Sequence, residues 1–127
     1  MADIVKLMQE QPDFYAMGSA TENDIRSAEQ ALGLKFASDY RKYLLAFGVA
    51  SFAGHELTGV CKSRRLNVVN ATEAERQITT VPENWYVLEQ ANIDSIVIWQ
   101  DSNGTVYQTS PNRNPKILCT SLADYIR

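Results

Sequence analysis

Apolar residues recur along this chain in two rhythms, and the first third is helical. Ile4, Leu7 and Met8 stand at i, i+3 and i+4 within Asp3–Glu10, and Pro12 stops that run. Thr21-Glu22-Asn23-Asp24 is an N-cap followed by acidic residues in a first turn. Ile25, Ala28 and Leu32 then form an apolar stripe, Glu22 and Arg26 are spaced for an i, i+4 pair, and Gly33 supplies a left-handed stop. Tyr40, Tyr43, Leu44 and Phe47, between Ser38-Asp39 and Gly48, are the strongest helical pattern in the chain. The short link between these two helices predicts a helical hairpin.

Beyond Gly48 the texture changes to that of strands. His55–Val60 predicts a short strand, and Lys62-Ser63-Arg64-Arg65 is a basic loop or the start of another strand running to Val69. Asn70–Thr80 predicts a helix with Ala71, Ala74 and Ile78 on one side, broken by Pro82-Glu83-Asn84. Trp85–Glu89 and Ile96–Gln100 are rich in β-branched and aromatic residues. Ser102-Asn103-Gly104-Thr105 holds an Asn-Gly pair suited to a type I′ hairpin, with Thr105–Thr109 as the return strand. Pro111–Pro115 is a loop and Ile117–Thr120 is extended. Ser121 and Asp124 then open a last helical turn with Leu122, Tyr125 and Ile126 inward. N-terminal helices, a mostly antiparallel sheet and a closing C-terminal helix make an α+β class, in one domain over residues 1–127.

A chain of 127 residues that is 45% hydrophobic and 21% charged buries enough surface to fold without a metal or disulfide staple. No apolar run reaches the roughly 18 residues of a membrane span. The N-terminus lacks a basic-then-apolar leader, so a cytoplasmic location is expected. Cys61 and Cys119 sit among apolar neighbours and are expected to be reduced and buried. The net charge of −3 argues against a dedicated nucleic-acid binder. It is unevenly spread: Gln77–Asn112 has no Lys or Arg but contains Glu83, Glu89, Asp94 and Asp101. Such a stretch suits a basic partner.

Catalytic patterns are missing from the sequence. His55 is the only histidine, which excludes a His-based metal cluster, and the two cysteines form no Cys-x-x-Cys pair. No Gly-rich phosphate loop or Gly-x-Ser-x-Gly elbow occurs. Asp101-Ser102-Asn103-Gly104 has its glycine too early for a calcium loop and lacks the closing Glu. His55-Glu56 offers an acid–base pair, but adjacent strand residues face opposite sides of a sheet. No catalytic residue, cofactor or metal site is assigned, and a protein that is not an enzyme is expected. Trp85, Tyr86, Trp99 and Tyr107 are expected in the core, with any outward-facing ones as interface anchors.

Three runs of residues, taken in order, resemble the opening of the SUKH superfamily. These are Thr21-Glu22-x-Asp24-Ile25, Ala28-Glu29-x-x-Leu32-Gly33-Leu34-x-Phe36, and Asp39-Tyr40-x-x-Tyr43-Leu44-x-x-Phe47-Gly48. That superfamily includes fungal Smi/Knr-type cell-wall regulators and many bacterial immunity proteins. Glu56-Leu57-Thr58-Gly59-Val60 resembles its Glu-apolar-x-Gly-apolar strand. Ile96–Trp99, the Asn-Gly hairpin, Val106-Tyr107 and Leu122-x-x-Tyr125-Ile126 keep its order, so the resemblance runs from Thr21 to the C-terminus. Ala37 stands where the family usually has Pro, and Gly48-Val49 where it often has a Gly pair.

The resemblance implies a SUKH-like, non-enzymatic binding domain. It points to an immunity protein, or antitoxin, that occludes the active site of a cognate polymorphic toxin, expected to be a basic nuclease. The alternative is a Smi/Knr-like regulatory scaffold without a toxin partner; the few residues outside the domain favour the bacterial immunity type. Glu83, Glu89, Asp94 and Asp101 are the candidate toxin-binding residues, as an acidic face steered onto a phosphate-binding site. No direct nucleic-acid or membrane partner is expected. A monomer or weak homodimer is, the latter through Thr105–Thr109 as an exposed strand edge.

Overall fold

The computed structural model describes residues 3–91 and 93–127. Helix α1 (Ile4–Gln9) is capped by Asp3, whose carboxylate accepts from the Val5 and Lys6 amides. Strand β1 (Tyr15–Ala16) leads to α2 (Glu22–Leu32). A reciprocal capping box between Thr21 and Asp24 opens α2, and Gly33 closes it at φ 69°, a conformation that costs glycine little. Helix α3 (Ser38–Phe47) follows, then β2 (Ala50–Phe52) and β3 (His55–Glu56), which complete a three-stranded antiparallel sheet in the order β1-β2-β3. After α4 (Val68–Arg76), strands β4 (Trp85–Gln90), β5 (Val97–Asp101), β6 (Val106–Thr109) and β7 (Lys116–Cys119) form an antiparallel meander in sequence order. Helix α5 (Leu122–Ile126) ends the described chain. The class is α+β, as expected.

The meander feeds two cores. Tyr86, Leu88, Ile98 and Val106 pack from one face against Ile25, Leu32, Tyr40, Tyr43 and Leu44 of the helices and Leu122 and Ile126 of α5. Trp85, Val87, Val97 and Trp99 point the other way, under Ala71 of α4 and Val81. Burial on both faces explains why β4 and β5 read as continuous apolar runs and not as alternating ones.

Several local expectations are corrected. β3 spans two residues, because Thr58–Val60 leave the sheet: Thr58 N–H donates to the Leu88 carbonyl, Gly59 N–H to Leu66 and Val60 N–H to Gly48. The helix expected at Asn70 starts at Val68. Asn67 is its cap, accepting from the Val69 and Asn70 amides, which also removes a strand running to Val69. Its buried face is Val68, Ala71 and Thr72; Ala74 is exposed and Ile78 lies past its end, 80% exposed. The turn after β5 is a three-residue loop, not type I′. Gly104, at φ 100°, donates to the Asp101 carbonyl, while Asn103 keeps a negative φ. Strand β6 pairs with both β5 and β7, so the edge of the meander is β7 and not the expected Thr105–Thr109. Glu22 bonds Arg41 of α3 at 2.7 Å instead of Arg26, since Arg41 is also drawn by the buried Glu29 at 3.1 Å. Cys61 and Cys119 are free thiols but only half-buried. Desolvation pushes both thiols above their ordinary value, away from reactivity.

Candidate interaction surface

The four acidic candidates divide into two pairs. Glu89 follows a bulge in β4 and its side chain is 8% exposed. Its carboxylate accepts from His55 Nδ1 at 2.9 Å, from the Glu56 amide at 3.0 Å and from the Tyr125 hydroxyl. A carboxylate only accepts, so Nδ1 carries the proton. The histidine is therefore partnered by Glu89, while its sequence neighbour Glu56 bonds Arg65 at 2.9 Å. Asp101 is also buried: Oδ1 accepts from the Asn103 and Thr105 amides, and Oδ2 from the Tyr107 hydroxyl at 2.7 Å. Glu83 and Asp94, by contrast, are exposed. They flank opposite ends of β4, roughly 20 Å apart by strand rise. The four do not share one contiguous face.

A groove of about 910 Å³ opens beside Asp94. Its walls are the C-terminal end of α4 with Ile78–Thr80, the β4–β5 connection with Asp94–Val97, and the β6–β7 connection over Thr109–Pro115. A second hollow continues it past Ser110–Asn114 to Gln108 and Lys116. The walls are fixed from within: Gln90 donates to Glu75 at 2.8 Å, and Trp99 Nε1 donates to Thr109 at 2.9 Å. Asp94, Ser95 and Asn112 hold φ of 53°, 56° and 62°. Three of the five non-glycine residues with left-handed backbone among those described thus line this groove, and such conformations persist only where the surroundings impose them. Hydroxyls and amides of Thr79, Thr80, Ser95, Ser110, Asn112 and Asn114 line it, with Ile78 on the rim.

Cations are sparse on the α4 side of the groove. Between Glu73 and Asn112 the only basic residue is Arg76. Its guanidinium donates to the carbonyls of Leu32, Glu83 and Trp85. Glu73, Glu83 and Asp94 are exposed and Glu75 is half-buried like Arg76 itself, with Arg113 and Lys116 across the groove. The Pro111–Pro115 loop was visible in the sequence. Its meeting with the end of α4 was not, since no local signal connects them.

Residues that carried the family resemblance turn out to be internal connectors. Asp39 accepts from the Leu122 amide at 2.8 Å and from Gln100 at 3.1 Å, tying α5 and β5 to α3. Tyr43 donates to the Thr58 carbonyl and accepts from the Ala50 amide, while Thr58 Oγ1 lies 2.8 Å from the Tyr40 hydroxyl and donates to Val87. Burial pushes the hydroxyls of Tyr40, Tyr43 and Tyr86 above their ordinary value. Gly59 passes so close to α3 that a Cβ there would stand 2.0 Å from the Gly48 carbonyl oxygen.

The described residues thus form an α+β fold of five helices and two antiparallel sheets. The sequence matches the SMI1-KNR4 cell-wall family, SUKH_5, over residues 1–127, and the chain belongs to that family. The match takes in α1 and β1 as well as the region from Thr21 onward. No curated protein matches the chain. Membership makes this an immunity-like or Smi/Knr-type protein. No described helix is long and apolar enough to cross a membrane, and no three described His, Cys, Asp or Glu residues gather as a metal site.

Proposed function

We propose that this protein is a bacterial immunity protein that binds a cognate polymorphic toxin of the nuclease class and occludes its active site in the cytoplasm. The observation that carries this reading is the run of exposed acidic charge without a cation around β4. Residues 77–112 contain no Lys or Arg, and the exposed charges described there are the carboxylates of Glu83 and Asp94. A nuclease collects cations to hold phosphate, so an acidic surface is steered onto it and competes with its substrate. Glu83 and Asp94 are the contact residues of this proposal. Glu89 and Asp101 hold the frame: one fixes β4 to β3 and α5, the other sets the β5–β6 turn. A frame held in advance spares the entropy of ordering a loop on binding.

The test is co-expression with the C-terminal domain of a large secreted protein encoded beside this one. Co-purification of the two, with growth of the poisoned host restored, is expected. Continued killing with no complex would overturn the reading in favour of a Smi/Knr-like regulatory scaffold.

A further inference from the structure

The three-stranded sheet has a side that the core does not use. Ala16 of its edge strand β1 packs inward, so Tyr15 and Met17 face out, 57% and 66% exposed. Met17 stands between two hollows. One, about 230 Å³, is walled by Tyr15, Val49 and Leu66; the other, about 290 Å³, by Phe47, Val60 and Lys62.

The backbone at this edge is open as well. Ala16 lies opposite Ala50. The Ala50 N–H donates to the Tyr43 hydroxyl, and the Ala50 carbonyl accepts from Leu57 N–H. Neither group serves Ala16. In an antiparallel pair of that kind, the N–H and carbonyl of Ala16 point away from β2, toward the free edge. The basic loop adjoins the second hollow. Arg65 is taken by Glu56, but Lys62 and Arg64 are exposed and form no ion pair among the described residues.

We propose that this face is a second docking surface, for an extended acidic segment of another protein that adds as a strand beside β1 and seats apolar side chains against Met17. Each part of that chemistry has its counterpart here. The open backbone of Ala16 receives a main chain, the paired hollows receive alternate side chains, and Lys62 and Arg64 receive carboxylates. Two side-chain-sized depressions suit a peptide better than a bilayer, which takes up a protruding apolar face. The surface is basic where the proposed toxin contact is acidic, so it stands independently of that reading.

The probe is a synthetic heptapeptide of alternating Leu and Asp, titrated into the isotopically labelled full chain and followed by amide NMR. Leu/Lys and Ser/Asp peptides are the controls. Saturable shifts are expected at Ala16, Met17, Ala50 and Lys62–Arg64, with affinity lowered about tenfold or more by Met17→Glu and by Lys62→Glu/Arg64→Glu. These side chains are exposed, and an unchanged amide spectrum verifies that the variants fold. Four results would each overturn the proposal: no saturable shift, shifts confined to Thr109–Pro115, equal affinity for the Leu/Lys peptide, or Met17-dependent sedimentation with phosphatidylserine vesicles in place of peptide binding.

Discussion

A carboxylate out of water is worth what donates to it. Glu89 receives the His55 ring, the Tyr125 hydroxyl and the Glu56 amide, and so brings β3, β4 and α5 to one point. Replacing Glu89 by Ala strands those donors and should cost about 2–4 kcal/mol in urea unfolding. Glu83→Ala, on an exposed turn, should stay within about 0.5 kcal/mol. Equal effects of the two substitutions would contradict the division between frame and contact residues. The same division marks what a sequence shows at this scale. Caps at Thr21, Gly33 and Ser121 were legible because each cap's partners lie within four residues of it. The partners of Glu89 lie 33 to 36 positions away, so its role was hidden and it passed for a surface charge. Arg76 was hidden in the same way: only the folded chain shows it serving carbonyls of α2 and β4.

Chain segments cross closely where α3 ends. Gly48 turns the chain at φ 69°, and Gly59 crosses over its carbonyl with no space for a side chain. Gly59→Ala forces backbone apart at a buried crossing and should cost about 3 kcal/mol. Gly33→Ala meets no neighbour and pays only for its left-handed φ, about 1 kcal/mol. Unfolding curves that rank these two variants the other way would contradict the crossing as described. The Glu56–Val60 pattern was visible in the sequence, but as a strand. Only its start is strand; from Thr58 on it is the pass that joins α3 to β4, since Thr58 bonds both tyrosines of α3 and the Val87 and Leu88 carbonyls. Helices α2 and α3 were legible because periodicity and stop signals agreed. The start of α4 was missed by two residues because Asn67 and Asn70 are equally good caps in sequence, and only one is placed to accept from the next two amides.

The whole molecule buries an unusual set of phenols between its helices and its meander. Tyr40, Tyr43 and Tyr86 pack at ring-centroid distances of 4.9–5.4 Å, and desolvation raises their hydroxyls above the ordinary value of 10; Tyr125 is raised by burial and by Glu89 beside it. The folded chain therefore keeps protons that the unfolded chain releases above pH 10. The stability these groups support is complete below pH 10 and is lost as pH rises beyond it. Unfolding free energy should fall through the alkaline range, and tyrosinate absorbance of the buried rings should rise only with unfolding. Ionisation of those rings at the ordinary value in a still-folded protein would contradict this packing.

At the same scale the fold leaves exposed carboxylates at the two ends of β4 and basic charge near β1. The proposed toxin contact uses the first of these surfaces. Calorimetric titration of the neighbouring toxin domain with wild-type protein and with Glu83→Lys/Asp94→Lys tests it most directly. Tight binding by the wild type, weakened about tenfold or more in the reversed variant and untouched by Lys62→Glu/Arg64→Glu, is the predicted result. The same affinity in the wild type and in Glu83→Lys/Asp94→Lys would contradict it.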